Sequence, residues 1–275
     1  ARVVRAEKME TLAALAGGVA HDLNNILSGI VGYPELILLQ LPKDSPLKRP
    51  IETMHQSAKK AAAIVQDLLT LSRRGAMSME TINLNKIVCE YMDSPEFEKM
   101  LSYHPNVTVE MDLEDDLVNF SGSTVHVSKT VMNLLSNAAE AMPEGGTVRV
   151  TTQNCYIDKQ LQAYERIKEG EYCVLSVADT GVGISEADRD RIFEPFFTKK
   201  KMGRSGTGLG LAVVWGSVKD HGGYINVESE LGKGTEIKVY FPATRARAAE
   251  HESRIDPSTL KGHGEKILVI DDIKE

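Results

Sequence analysis

Apolar and small residues near the start of the chain recur at alternating steps of three and four positions. They fall without a miss at Met9, Leu12, Ala16, Val19, Leu23, Ile26, Ile30, Tyr33 and Ile37. This heptad spacing predicts one long helix of a bundle or coiled coil. A second series predicts a second helix, and it comprises Ile51, Met54, Ala58, Ala61, Val65 and Leu68.

The segment between the two series, residues 41–46, has the composition of a turn between helices. Pro42 ends the first helix, Ser45 can cap the second, and Pro46 suits its first position. These residues predict an antiparallel helical hairpin. Because one hairpin leaves a wide apolar stripe uncovered, we expect two hairpins to form a homodimeric four-helix bundle. The alternative is a hairpin docked on its own second domain.

The pattern changes at about residue 79, where short apolar or alternating runs replace the heptads. Strands are predicted at residues 107–111, 147–152, 172–178, 224–227 and 236–241, and helices at residues 85–92, 125–142 and 209–221. The predicted fold class is therefore multidomain α and α+β, with a hairpin followed by an α/β sandwich whose mixed sheet is covered by helices. The domains are predicted at residues 1–76 (hairpin), 79–242 (sandwich), 243–264 (linker) and 265–275 (a further strand). Residues 155–170 look like a charged insertion between two strands, without a predicted role.

Composition excludes several classes of function. The chain carries 32 Lys plus Arg against 39 Asp plus Glu, a net charge of −7 that argues against a nucleic-acid-binding protein. Three cysteines without a CxxC motif support neither a disulfide framework nor a zinc site, and they favour a reducing compartment. No apolar run approaches the ~20 residues of a membrane span. We therefore expect a cytoplasmic protein, or the cytosolic part of a larger sensor.

His21 falls at heptad position f, which faces away from the core of the predicted bundle. Asp22 is adjacent, and Asn25 follows one helical turn later on the same surface. An exposed imidazole beside a carboxylate can act as a nucleophile. A solvated helix face explains the same three residues, so a phosphoryl donor elsewhere in the chain would decide between the two interpretations.

Two polar motifs of the second domain could supply that donor. Asn133 and Asn137 share one face of a predicted helix, where amide oxygens could hold Mg²⁺. Asp179 ends an apolar strand ahead of Gly181 and Gly183, and a carboxylate so placed could accept a hydrogen bond from the amine of adenine. A polar helix face and a simple Asp-Gly turn are the alternatives.

A third motif joins cations to glycines ahead of a predicted helix. It begins at Lys199 and ends with Gly206-Thr207-Gly208-Leu209-Gly210. Backbone N–H groups at a helix N-terminus with nearby cations form an anion site. The motif fits neither the Walker loop nor the Rossmann fingerprint.

Taken together and in this order, these segments resemble the dimerisation and ATP-binding core of sensor histidine kinases. Residues 21–27 look like the phosphoacceptor box, residues 133–141 like the N box, and residues 179–183 like the first glycine box. Residues 193–197 are similar to the F box, residues 206–210 to the second glycine box, and residues 232–235 to the motif that closes the site. The resemblance covers about residues 5–242.

The resemblance implies an ATP-dependent protein-histidine kinase with ATP and Mg²⁺ as cofactors. His21 would be phosphorylated with Asp22 as general base, and Asn25 would support phosphatase activity toward the partner. Mg²⁺ would bind Asn137. The implied nucleotide-binding residues are Asn133, Asn137, Asp179, Gly181, Gly183, Lys199, Gly206, Thr207, Gly208, Leu209, Gly210 and Thr235.

The implied partner is a receiver domain, either in cis or on a separate response regulator. Residues 266–272 resemble the first strand of such a domain, with Asp271 and Asp272 as its metal ligands. Two other functions fit parts of the sequence. One is a catalytically silent, nucleotide-binding dimeric scaffold, and the other is an ATP-gated clamp of the gyrase and mismatch-repair kind, which leaves the hairpin and His21 unexplained.

Overall fold

The computed structural model describes residues 23, 25–42, 44–72, 78–162, 164–199 and 207–246. Its first part contains the two predicted helices, α1 over residues 25–40 and α2 over Lys48–Ser72. In the turn between them, the hydroxyl of Ser45 accepts a hydrogen bond from the backbone N–H of Leu47 at 3.3 Å. Within the described ranges, no helix is both long and apolar enough to span a bilayer.

Much of the apolar seam on the hairpin is exposed in the single chain. The exposed fraction is 59% for Ile26, 51% for Ile30 and 67% for Tyr33 on α1, and 62% for Met54 on α2. A contiguous apolar stripe of this kind marks a surface for association. The prediction that one hairpin leaves its stripe uncovered is therefore confirmed for the described part of α1, whereas on α2 Met54 is exposed and Ala58 is buried.

The second part of the chain is an α/β sandwich. Its elements are β1 Glu80–Ile82, α3 Leu84–Met92, α4 Pro95–Ser102, β2 Val107–Leu113, β3 Asn119–Gly122, α5 Thr124–Glu140, β4 Gly146–Ile157, β5 Leu161–Gln162, β6 Arg166–Ile167, β7 Gly170–Asp179, α6 Glu186–Arg189, α7 Gly210–Asp220, β8 Tyr224–Glu230 and β9 Gly234–Thr244. The main sheet has the order β1-β3-β9-β7-β4-β2, and β8 pairs with β9. The β2–β4 pair is parallel and the others are antiparallel, so the sheet is mixed as predicted.

The main core lies between this sheet and helices α3, α5 and α7. Fully buried members include Val88 on α3, Leu135 on α5 and Val214 on α7, which face Val150 and Leu175 on the sheet. Apolar residues on one stripe of each helix thus explain why the helices cover the sheet. The predicted fold class is confirmed.

The differences from the predicted elements concern short segments. Helix α4 was not predicted, although Ser94 accepts a hydrogen bond from the N–H of Phe97 at 3.2 Å and Pro95 occupies the first turn. Strands β1 and β3 have only three and four residues, too few to show a periodic pattern. The start predicted for the insertion was wrong, because Cys155 lies within β4 and pairs with Tyr172 on β7.

Helix α2 also packs on the sandwich. Leu71 contacts Leu209, Ala212 and Val213 around the start of α7. The alternative of a hairpin docked on its own second domain is therefore observed for α2, while the stripe on α1 stays exposed.

Candidate nucleotide-binding site

A cavity of about 770 Å³ opens where α5, the end of β7 and the start of α7 meet. Most residues predicted to bind a nucleotide line it, namely Asn133, Asn137, Asp179, Gly183, Lys199, Thr207, Gly208, Gly210 and Thr235. They come from segments that are distant in the chain. The fold therefore assembles the separate motifs into one site.

The two asparagines of α5 differ in their hydrogen bonds. The Asn137 amide nitrogen donates to the backbone carbonyl of Asn133 at 2.7 Å, which leaves the amide oxygen as the end that can hold a metal ion. Within the described part of the chain, the buried Asn133 Nδ2 has no hydrogen-bond partner. Leaving a buried donor unpaired costs about 1–3 kcal/mol of stability, so a hydrogen-bond acceptor on a ligand would stabilise this atom.

The first residue of α7 approaches both amides closely. A Cβ atom on Gly210 would lie 3.3 Å from Asn133 Oδ1 and 3.4 Å from Asn137 Nδ2. Such contacts are tighter than ordinary van der Waals packing. Glycine at this position thus lets the N-terminus of α7, with its free N–H groups, sit against the amides.

Asp179 is held at the end of β7 by its own turn. Its Oδ1 atom accepts a hydrogen bond from the N–H of Gly181 at 2.8 Å. Gly183 has a φ of 68°, and a Cβ atom there would lie 2.1 Å from the Glu230 carbonyl oxygen. Only glycine tolerates this combination. Gly181 acts through its N–H on Asp179 rather than as part of the cavity wall.

Lys199 has a carboxylate partner that the sequence analysis missed. The ammonium of Lys199 and the hydroxyl of Ser185 both donate to Asp188, at the rim of the same cavity. These hydrogen bonds, that of Lys199 above all, hold the pKa of the Asp188 carboxyl below its ordinary value. Asp188 lies among the charged residues of α6, a four-residue helix that the sequence analysis did not predict.

The second glycine box shows one departure from the predicted site. Gly208 adopts a φ of 71°, and its carbonyl accepts a hydrogen bond from the N–H of Phe196 at 3.0 Å. Thr207 Oγ1 accepts from the N–H of Leu209 at 3.2 Å. Leu209, however, is fully buried against Leu71 of the hairpin and does not line the cavity. Its nucleotide contact stays a prediction, while its apolar side chain packs between the two domains.

A second missed residue comes from the hairpin. Asp67 on α2 lines the cavity and forms an ion pair with Lys129 on α5. No local motif could have indicated it, because an acidic residue on a helix is ordinarily solvated. Asn25 is exposed on α1. His21, Asp22, Gly206, Asp271 and Asp272 lie outside the described residues.

Fold and cavity together define a nucleotide-binding ATPase domain that follows a helical hairpin. A family model described as "Histidine kinase-, DNA gyrase B-, and HSP90-like ATPase" matches residues 122–245. A second model, "His Kinase A (phospho-acceptor) domain", matches residues 11–76.

Individual relatives agree with these matches. The chain is 33% identical over 281 residues to sensor kinase CckA of Brucella abortus, covering 98% of this chain and 29% of the relative. It is 29% identical over 252 residues to sporulation kinase E of Bacillus subtilis, covering 92% of this chain and 31% of that protein. The chain thus spans less than a third of the length of either relative.

A solved structure shares the fold. The crystal structure of full-length ShkA in complex with AMPPNP superposes with a TM-score of 0.66 at 22% identity, over 86% of this chain and 47% of ShkA. From the two family models and these relatives, the chain carries a phosphoacceptor domain and an ATPase domain and is homologous to sensor histidine kinases. The predicted resemblance is confirmed.

Proposed function

We propose that this chain is the catalytic core of an ATP-dependent protein-histidine kinase of two-component signalling, which phosphorylates its own His21. The observation that carries the proposal is the single cavity in which the amides of Asn133 and Asn137 face the carboxylate of Asp179. The proposed metal-binding end and the proposed adenine-binding end thus line one open cavity. Homology to sensor histidine kinases supports the same activity.

The nucleotide would lie across this cavity. Asp179 would accept a hydrogen bond from the adenine amine, and Gly181 would keep the carboxylate in place. Asn137 would hold Mg²⁺ through its oxygen, and Asn133 would donate to a phosphate. Further contacts would come from Gly183, Lys199, Gly206, Thr207, Gly208, Gly210 and Thr235. Mg²⁺ at this place would neutralise phosphate charge.

Phosphoryl transfer would then take place on the hairpin. A ring nitrogen of His21 forms a bond to the γ-phosphorus, the bond from phosphorus to the β,γ-bridging oxygen breaks, and ADP leaves. The attacking nitrogen is the one without a proton, and Asp22 would accept the proton of the other ring nitrogen. Because α2 is docked on the sandwich through Leu71 and Asp67, delivery of ATP to His21 would involve motion of the hairpin relative to the sandwich.

The proposal includes two kinds of partner. The exposed stripe of α1, together with Met54 of α2, would pair with a second copy to form a four-helix bundle. The phosphate would pass to an aspartate of a receiver domain, in cis or on a separate response regulator. The linker at residues 243–264, the receiver strand at residues 265–275 and the cytosolic location stay predictions.

Incubation of the chain with γ-labelled ATP and Mg²⁺ tests the proposal. We expect an acid-labile, alkali-stable label that the variants H21A and N137A abolish and that the controls H104A and N106A retain. Label that persists in H21A would contradict the assignment of the nucleophile. Tight nucleotide binding without label would favour the silent scaffold instead.

Exposure of Asn25 supports phosphatase activity as a second function, because an exposed amide one turn after His21 can orient a water on the phosphorylated partner. We expect N25A to dephosphorylate a phosphorylated receiver domain more slowly than wild type while its autophosphorylation persists. Equal dephosphorylation rates would remove this assignment.

A further inference from the structure

Between β4 and β7 the chain makes an excursion that the proposed chemistry does not use. It covers residues 158–169, and its strands β5 and β6 pair with each other. We call residues 164–167 the brace. The brace is anchored by Ile167, which is fully buried with Ile157, Tyr172 and Val174 in a small core separate from the main one.

Glu165 of the brace joins a helix to the edge strand β8. The residue is 9% exposed, and Oε2 accepts hydrogen bonds from Lys219 Nζ at 2.5 Å and from the N–H of Ile225 at 2.9 Å. The N–H of Tyr164 donates to Asn226 Oδ1 at 3.0 Å. A buried carboxylate with these two donors gives the brace a defined position on α7 and β8.

Tyr164 packs on Phe193, which lies next to residues that line the nucleotide cavity. Its ring centroid lies 5.6 Å from that of Phe193 and 6.5 Å from that of Trp215, and the Phe193 and Trp215 centroids are 5.2 Å apart. Phe193 is fully buried, and its neighbours Ile192 and Phe197 line the cavity. Edge-to-face and tilted aromatic contacts of this kind have a preferred geometry.

The part of the cavity wall next to Phe193 has no regular secondary structure to hold it in place. Residues 190–199 are turns without a strand or helix of their own, yet they carry Ile192, Phe197, Thr198 and Lys199 into the site. Displacement of a site by about 1 Å can change a reaction rate by about a hundredfold. A ring behind Phe193 can therefore influence a nucleotide that it does not touch.

We propose that Tyr164 is a positioning residue of the nucleotide site, whose ring holds Phe193 against Trp215 and so keeps the wall from Ile192 to Lys199 in its binding position. This inference rests on the proposed function, because it takes the cavity to be the ATP site. It assigns the excursion a role in ATP affinity.

The test measures autophosphorylation against ATP concentration, and AMPPNP binding by calorimetry, for Y164A, Y164F and the control Y156A. Tyr156 is an exposed tyrosine on β4. We expect Y164A to raise the KM for ATP and the Kd for AMPPNP by about tenfold, with kcat within about twofold. Y164F keeps the ring and should restore both constants, and Y156A should match wild type.

A merely structural role would give another result in a variant that circular dichroism shows to be folded at the assay temperature: its KM would stay at the wild-type value, and irreversible loss of protein would lower only kcat. That outcome, or an unchanged KM in Y164A, overturns the proposal. If Y164A does not fold, Y164L keeps a large apolar side chain, and a wild-type KM in folded Y164L overturns the proposal equally. Failure of wild type to bind nucleotide would instead contradict the proposed function.

Discussion

Asp67 on the hairpin and Lys129 on the sandwich form an ion pair, with 2.7 Å between Asp67 Oδ1 and Lys129 Nζ. Lys129 also donates to Thr70 Oγ1 at 3.3 Å, so both contacts reach α2. Lys129 precedes Asn133 by one helical turn, and Asp67 lines the same cavity as Asn133. The nucleotide site and the hairpin therefore share a charged contact, beside the apolar contact of Leu71.

Removing this charge pair should loosen the docking of α2. We expect D67N to cost about 1–2 kcal/mol of docking free energy, because both side chains are 18% exposed and Lys129 would lose its countercharge. Hydrogen exchange of amides near Leu71 should then be at least about fivefold faster. Q66A is the control, since Gln66 is an exposed neighbour on α2. Equal exchange in both variants would refute a role for the pair in docking.

The exposed stripe predicts a dimer interface that one charge should disrupt. Placing a carboxylate at Ile30 would bury an unpaired charge in the bundle, so I30E should be a monomer where wild type is a dimer. Light scattering after size-exclusion chromatography distinguishes the monomer from the dimer, because the monomer has a mass of 30.2 kDa and the dimer has twice that mass. Q56E adds the same charge at an exposed polar position of α2 and should stay dimeric. A dimeric I30E, or a monomeric wild type, contradicts this interface.

The carboxylate of Asp179 should dominate adenine recognition. D179A removes the proposed acceptor for the adenine amine, and a hydrogen bond to a charged group contributes about 1.5–3 kcal/mol, so AMPPNP should bind about 10- to 100-fold more weakly. Calorimetry measures the change. D112A, in which an exposed aspartate of β2 is removed, should bind as wild type does. Unchanged affinity in D179A would show that adenine lies elsewhere.

The three thiols should react with Ellman's reagent in an order given by the fold. Cys89 is exposed and should react first. Burial raises the pKa of the half-buried Cys155, which should react slowly, and raises the pKa of the buried Cys173 to about 12. Because the thiolate is the reactive form, Cys173 should stay unreactive between about pH 7 and 9 until the chain unfolds. If Cys89 gives the fastest reaction phase, C89A should lack that phase. Fast labelling of Cys173 in the native protein would contradict the fold.

The core elements of the sandwich could be predicted from sequence because their apolar residues repeat with a period that matches one buried face. Val127, Val131, Leu134 and Leu135 follow this rule on α5. The brace could not be predicted, since Tyr164 and Glu165 are held by partners more than 25 positions away and lie in a stretch that is locally charged. The packing of Leu209 on Leu71 could not be predicted for a related reason, because these two residues are remote in sequence.

The sequence by itself determined the order of the motifs, the hairpin, the mixed sandwich and the residue types that hold a nucleotide, since periodicity and motif chemistry are local properties of the chain. Tertiary structure decided which of these residues share one cavity, and it added Asp67 and Asp188 to that cavity. It also decided that Lys199 pairs with Asp188 and that the brace supports Phe193. Contacts of this kind depend on distances between segments that are remote in sequence, and those distances exist only once the sheet and its helices have packed.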